Sequence, residues 1–364
     1  MSRQTYKQTS GQANGQINGQ ARGQVSGQSG VTRQGFLKRR KRERNVFLIL
    51  FALWLLAALF LLLWGDQVYG PGVVFRVLLG KEIKGASYAV NTIRLPRVLV
   101  GTLAGFSYGV AGNVFQKMLR NSLASPDVMG ITSGASAAAV FAMMVLGLSG
   151  IVVSLLALLG GILAATAILL ISRTRAFSVN KMILTGIGIQ AMLQAVINFI
   201  ILKTSDYNIS DALRWLSGSL NGARMYDVSL FGLIVVGCAM IILLLGTDIR
   251  ILGLGEELPV TLGMHTERSR YTLLYCAVLL CAGTTAVTGP LSSVAFMSGP
   301  IASRLIKTGG TGTIHAGMVG AVIVLISEAI GQFALPARYP VGVITGIIGA
   351  PYLIYLLTKM NSKG

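Results

Sequence analysis

Gln190, Gln194 and Asn198 stand at i, i+4 and i+8 within one apolar run, so a helix there carries three amides along a single stripe. Amides in hydrocarbon are costly unless they face protein or water. Two readings are open: the stripe lines the route of a large polar solute, or it ties helices together by hydrogen bonds. Glu328 is the one carboxylate deep in a late apolar run. An intramembrane acid is a candidate for proton transfer. The sequence offers Glu328 no basic partner on a neighbouring run, which favours a locally satisfied structural acid over a relay. The third constellation is Glu256-Glu257-Leu258-Pro259-Val260-Thr261-Leu262-Gly263, an acidic, glycine-ended island. The apolar runs around it stop for about 25 residues, and a structureless connection of that length is uncommon. The island reads as a folded surface built for a partner that drives the chain from outside the membrane.

Chemistry of other kinds is not visible. Lys307-Thr308-Gly309-Gly310-Thr311-Gly312-Thr313 lacks the Gly-Lys-Ser/Thr ending of a phosphate-binding loop and reads as a turn. No nucleophile–base arrangement and no paired carboxylates occur in a plausible cleft. His265 and His315 are the only histidines and stand far apart, so they form no metal cluster. Cys238, Cys276 and Cys281 all fall in apolar runs; an odd count without short spacing argues against a disulfide framework or zinc, and for small buried hydrophobes. The chain reads as a non-enzyme with no cofactor of its own.

The elements that must carry these residues are membrane helices. Of 364 residues, 53% are hydrophobic and 12% charged, with a mean hydropathy of +0.69. A soluble protein of this size needs more charge to cover its surface. Apolar runs long enough to cross roughly 30 Å of hydrocarbon recur along the chain. Expected spans are 46–64, 94–112, 127–147, 150–171, 181–202, 227–246, 271–288, 291–306, 314–334 and 341–358, the 291–306 run being marginal for crossing alone. The net charge of +19 sits mostly in the tail, the first flank and short connections, and no basic patch is interleaved with exposed aromatics, which excludes nucleic acid as a partner. Residues 1–45 combine a Gly-Gln tract of low complexity, expected to be disordered, with the basic run Lys38-Arg39-Arg40-Lys41-Arg42-Glu43-Arg44, which fixes the N-terminus in the cytoplasm. Ten spans return the C-terminus to the same side, and Lys and Arg favour that side about two to one. The first external connection, with Arg94 and Arg97 at its end, breaks the rule. Ser125-Pro126-Asp127 is expected to cap and open a helix, and Arg338-Tyr339-Pro340 to open the last one. Asp211–Leu216 suggests a short outer helix carrying Trp215. The abundant glycines, 45 in all, read as close helix packing.

Several runs together resemble the FecCD family, permease subunits of ABC importers for ferric siderophores, haem and cobalamin. They are Arg94-Leu95-Pro96-Arg97; Gly112 through Gly130 with Asn121-Ser122-Leu123-Ala124-Ser125-Pro126-Asp127; Ser133-Gly134-Ala135-Ser136; Trp215-Leu216-Ser217-Gly218-Ser219-Leu220; the 256–263 island; Gly289-Pro290; and Pro340-Val341-Gly342-Val343-Ile344-Thr345 with Gly349-Ala350-Pro351. They cover about residues 90–358 in order. The resemblance implies an all-α polytopic bundle of about ten transmembrane helices, of the type II ABC-importer permease kind, with residues 46–358 as permease and 248–270 as ATPase-docking helices within it. It implies a second permease half, identical or paralogous, around a central path lined by Gln190, Gln194 and Asn198. It implies two ABC ATPase subunits, carrying ATP and Mg, on Glu256, Glu257, Leu262 and Gly263. It implies an extracytoplasmic binding protein whose acidic lobes meet Arg94 and Arg97; Arg338, where the chain departs from the family, either adds a third basic contact or is loop variation.

The chain departs from the family pattern at Ser122, where proline is usual, at Pro259, at Arg338, where an acid is common, and at Gly299-Pro300, which replaces the usual Pro-His. The expected function is the permease half of a ferric-siderophore importer in a bacterial inner membrane. The alternatives are a haem or cobalamin importer and, from a different class, an ion-coupled secondary transporter.

Overall fold

The computed structural model describes residues 37–361 except 128, 173–178, 205, 256–258, 260, 262 and 308–310; the Gly-Gln tract lies outside them. The chain separates into two units, Met1–Leu48 and Ile49–Gly364, and the packing below belongs to the second. The first apolar run forms α1 (Leu37–Leu63), reaching back into the basic run. A short α2 (Pro71–Leu78) starts on a proline, which suits a first helical turn. A π-helical stretch, Tyr88–Arg94, runs directly into α3 (Leu95–Met118). There follow α4 (Ile131–Met144), α5 (Ile151–Ser172), α6 (Val179–Lys203), α7 (Asp206–Leu216), α8 (Met225–Leu244) and α9 (Gly246–Leu252). The chain ends with α10 (Thr266–Thr288), α11 (Val294–Ile306), α12 (Thr313–Phe333) and α13 (Val341–Asn361). Among the described residues there is no strand. Below, the side on which α3 ends is called inner.

Eight of the described helices are long and apolar enough to cross a membrane: α1, α3 with its π-helical start, α5, α6, α8, α10, α12 and α13. The other two expected spans, α4 and α11, have 14 and 13 residues, which at 1.5 Å per residue gives about 20 Å each. Each starts beside a residue in the left-handed region, Gly130 (φ 71°) and Ser293 (φ 66°). That shortens α4 relative to the expected 127–147. It also corrects the cap reading: Ser125 and Asp127 lie in turns before the helix. The Ser125 hydroxyl accepts from the Asp127 N–H at 3.3 Å instead of capping a first turn.

α3 is the axis of the bundle, packed on α8, α10, α11 and α12. Glycines make this possible. A Cβ at Gly105 would strike the Gly320 carbonyl, one at Gly109 the Ala316 carbonyl, and one at Gly112 the Ala295 carbonyl. α4 and α5 meet the same way through Gly134 and Gly160. Without a hydrophobic driving force between helices in lipid, such backbone approach supplies the dispersion contact that holds them. Three separate glycine motifs also tie into one knot. Gly218 (φ 68°) backs onto the Pro290 carbonyl, Gly289 (φ 71°) onto that of Trp215, and Gly342 onto that of Ser217. Backbone bonds close it: Ser219 N–H to the Thr288 carbonyl at 2.7 Å and Gly342 N–H to that of Gly218 at 3.0 Å. The knot holds the end of α7, the end of α10 and the start of α13 together, next to the cavity described below.

Candidate functional site

α6 is the least enclosed of the long helices. Leu184, Met192 and Phe199 are exposed on it, and the amide stripe lies open among them. Gln190 is half-buried; Gln194 and Asn198 are exposed, and the Gln194 amide donates to Asn198 Oδ1 at 3.2 Å. Among the described residues the stripe is therefore not a set of hydrogen bonds to other helices. Within one subunit its polar face is turned outward.

Gln190 also borders a cavity of about 440 Å3. Ser125 and Asp127 enter it from the connection before α4, Thr132 from the start of α4, Ser292 and Ser293 from the connection into α11, and Gly349 and Leu353 from α13. A Cβ on Gly349 would collide with the Ser293 side chain, so only glycine lets α13 come this close. Asp127, in the connection before α4, is lifted to about 6 by burial, partly offset by hydrogen bonds from Thr132 and Ser125. Sequence reasoning singled out Gln190 as part of a polar stripe but not Asp127, Ser292 and Ser293. The available signal was an acid beside proline in a polar connection, which was read as a cap.

The Gly299-Pro300 departure has a physical explanation at the inner end of α3. Pro300 lies inside α11 and has no N–H, so the carbonyl of Phe296, four residues earlier, loses its helical donor. The buried Gln116 amide of α3 donates to that carbonyl at 3.0 Å. A Cβ at position 299 would occupy the place of the Gln116 side-chain oxygen. Glycine, proline and Gln116 thus form one joint. Gln116→Leu should lower stability by about 1–3 kcal/mol, because a buried carbonyl is left unpaired. Thermal unfolding in detergent checks this, and an unchanged midpoint would dissolve the joint.

At the outer end, Arg94, Arg97 and Arg338 do converge on one cavity of about 510 Å3, but their charges are already engaged. Arg94 corrects the expectation most. It is 9% exposed, and its guanidinium donates to the Leu62 and Leu63 carbonyls at 2.9 and 3.0 Å and to that of Gln67 at 2.6 Å. It lies 5.0 Å from the Tyr69 ring centre. This arginine caps the carbonyl end of α1 and presents no charge outward. Arg97 donates to Asn221 Oδ1 at 2.6 Å and brings Nε to 3.6 Å from Glu328. Glu328 consequently has the basic partner that the sequence did not reveal. Arg338 is exposed and pairs with Asp66.

Of the inner island, Glu256, Glu257 and Leu262 lie outside the described residues. Pro259 and Thr261 are helical, so proline does not exclude a helix there. Gly263 (φ 72°) follows, and Met264 N–H bonds the Pro259 carbonyl at 3.0 Å. A glycine of positive φ with that backbone bond is the Schellman ending of a helix. Cys238, Cys276 and Cys281 are buried free thiols.

Comparison with known proteins agrees with this architecture. The chain is 35% identical over 291 residues to the ferric enterobactin transport system permease protein FepG of Escherichia coli (strain K12), covering 80% of this chain and 88% of that one. It is 33% identical to the achromobactin transport system permease protein CbrC of Dickeya dadantii (strain 3937), over 91% and 97% of the two chains. It is 32% identical to the cobalamin import system permease protein BtuC of Halobacterium salinarum, over 75% and 74%. A solved metal-chelate type ABC transporter in an inward-facing conformation shares the fold, with a TM-score of 0.76 at 22% identity over 87% of this chain and 99% of that one. The model of the FecCD transport family matches residues 50–359, and with that span nearly the whole helical body is accounted for: this multi-span membrane chain belongs to the FecCD transport family.

Proposed function

We propose that the chain is one half of the membrane part of an ATP-driven importer that carries a ferric siderophore inward, received from an extracytoplasmic binding protein. The observation that carries this reading is the amide stripe of α6, open in the single subunit and continuous through Gln190 with the cavity that Asp127 lines. In a bilayer such a face needs water or protein against it. A second permease half, a copy or a paralogue, covers it while leaving a wet path between the halves. Two ATPases, holding ATP and Mg, dock at the inner island between α9 and α10, and their closure moves the bundle as a rigid body between two states. The basic run before α1 puts both termini in the cytoplasm of a bacterial inner membrane. Relatives at 33–35% identity are named for ferric enterobactin and achromobactin, one at 30% for a siderophore and one at 32% for cobalamin, which supports the ligand class. Of the three arginines Arg338 is the most exposed, so it is the one that would meet an acidic lobe of the binding protein, exchanging its pairing with Asp66 for that contact.

The test is uptake by vesicles that hold this chain with its ATPases and binding protein. Gln190→Leu with Gln194→Leu removes two amide contacts; at about 1 kcal/mol each, uptake should fall about thirtyfold with assembly preserved. Unimpaired uptake would return the stripe to packing. Uptake by an ion gradient without any ATPase would replace the reading with a secondary transporter. That alternative has lost ground, since Glu328 is held by Arg97.

A further inference from the structure

Asp127 is the single charged side chain among the described residues lining the cavity beside Gln190. The other polar groups there, Ser125, Thr132, Gln190, Ser292 and Ser293, are neutral. Ser292 is exposed, and Ser293 and Asp127 are partly so, which makes the cavity reachable from outside the subunit. Its volume, about 440 Å3, suits a side arm of a siderophore-sized solute better than the whole. The polar part of the lining is a carboxylate with four hydroxyls and an amide, a set of acceptors for a donor-rich cation, and Leu123, Leu291, Phe296 and Leu353 form much of the rest of the wall.

We propose that this cavity is a transit subsite for a positively charged arm of the transported chelate, an ammonium group, with the Asp127 carboxylate as its counter-charge and Gln190, Ser292 and Ser293 as neutral partners. This rests on the reading that Gln190 lines the route. The amino ends of α4 and α11 open nearby and carry about half a positive charge each, an opposing contribution spread over backbone N–H groups. The carboxylate side chain, unlike those backbone groups, lines the cavity itself.

The experiment reads that sign directly. Ser292→Cys is introduced into the full chain, and the assembled transporter in vesicles is treated with methanethiosulfonates bearing either a quaternary ammonium or a sulfonate. The parent chain, whose three cysteines are buried, gives the background. The cationic reagent should react about tenfold faster, the effect of a nearby unit charge at intermediate dielectric. Asp127→Asn should bring the two rates together. In the Asp127 background, lowering the pH from 7.5 to 5 crosses the carboxyl ionisation at about 6 and should shrink the ratio in the same way. Tyr108 of α3 and Cys281 of α10 are the other titratable groups in electrostatic reach, and a phenol and a thiol ordinarily ionise above this range. The rate ratio cancels the ionisation of the introduced thiol. If Asp127→Asn does not assemble, the pH series alone decides. Equal rates, a faster anionic reagent, a ratio indifferent to both Asp127→Asn and pH, or no reaction with either reagent would overturn the subsite. Such a failure leaves ATP-driven uptake standing, and a failed uptake assay leaves the labelling ratio standing.

Discussion

Arg97→Leu should destabilise the subunit by about 3–5 kcal/mol, the usual cost of stranding one member of a buried ion pair. The Glu328 side chain is 2% exposed, and its Oε1 makes no hydrogen bond; Arg97 Nε, 3.6 Å away, is its counter-charge. Removing the arginine leaves the acid inside the bundle. Glu328→Leu should cost less, because Arg97 is 21% exposed and keeps its bond to Asn221. The double variant should recover most of the loss, since replacing both charges with apolar groups of similar size is often neutral. Thermal unfolding of the four proteins in detergent gives the coupling. A value above about 1.5 kcal/mol supports the pair, and additivity within about 0.5 kcal/mol would show that the charges do not communicate. The pair also joins distant parts of the chain: Arg97 opens α3, Glu328 closes α12, and Asn221 lies between α7 and α8 with Gln332 donating to it at 3.4 Å. A binding protein that draws Arg97 outward would loosen all three at once.

Much of this was legible in the sequence, for reasons that differ by element. Long apolar runs such as 150–171 and 181–202 predict α5 and α6 to within two residues, because burying backbone in hydrocarbon leaves the chain no structure but helix. The π-helical stretch before α3 and the short α2 were missed; both have fewer than nine residues, and the Val74/Val77 face of α2 is too short to stand out as a span. The start of α4 was misplaced because Ser-Pro-Asp favours helix entry locally, while Gly130, a left-handed residue, postpones it. At the site, the amides of α6 were visible as a stripe because helical spacing alone puts them on one face. Asp127, Ser292 and Ser293 were not, since a cavity shared by a connection, a helix start and a distant helix has no sequence period. The pairing of Arg97 with Glu328 spans most of the chain and was equally unreadable. Arg94 shows the converse error: a motif position suggested a surface cation, whereas the end of α1 needed a donor for its free carbonyls.

Gly109→Leu should abolish assembly of the bundle, and Gly109→Ala and Gly320→Ala should each cost about 1–3 kcal/mol, the range for forcing extra atoms into a packed interior. A Cβ at Gly109 meets the Ala316 carbonyl, and one at Gly320 meets the Gly105 carbonyl. These are main-chain atoms of a helix, unable to swing aside as a side chain can, so the only relief is to part α3 from α12. Parting them also moves both members of the Arg97–Glu328 pair. Gly237 of α8 is the control: nothing lies within 4 Å of a Cβ built there, so Gly237→Leu should change stability by less than about 0.5 kcal/mol. Monodisperse yield and unfolding temperature in detergent distinguish the sites. If Gly109→Ala behaves like Gly237→Leu, the two helices are not in backbone contact, and the shared axis on which the amide face and its cavity are mounted would have to be redrawn.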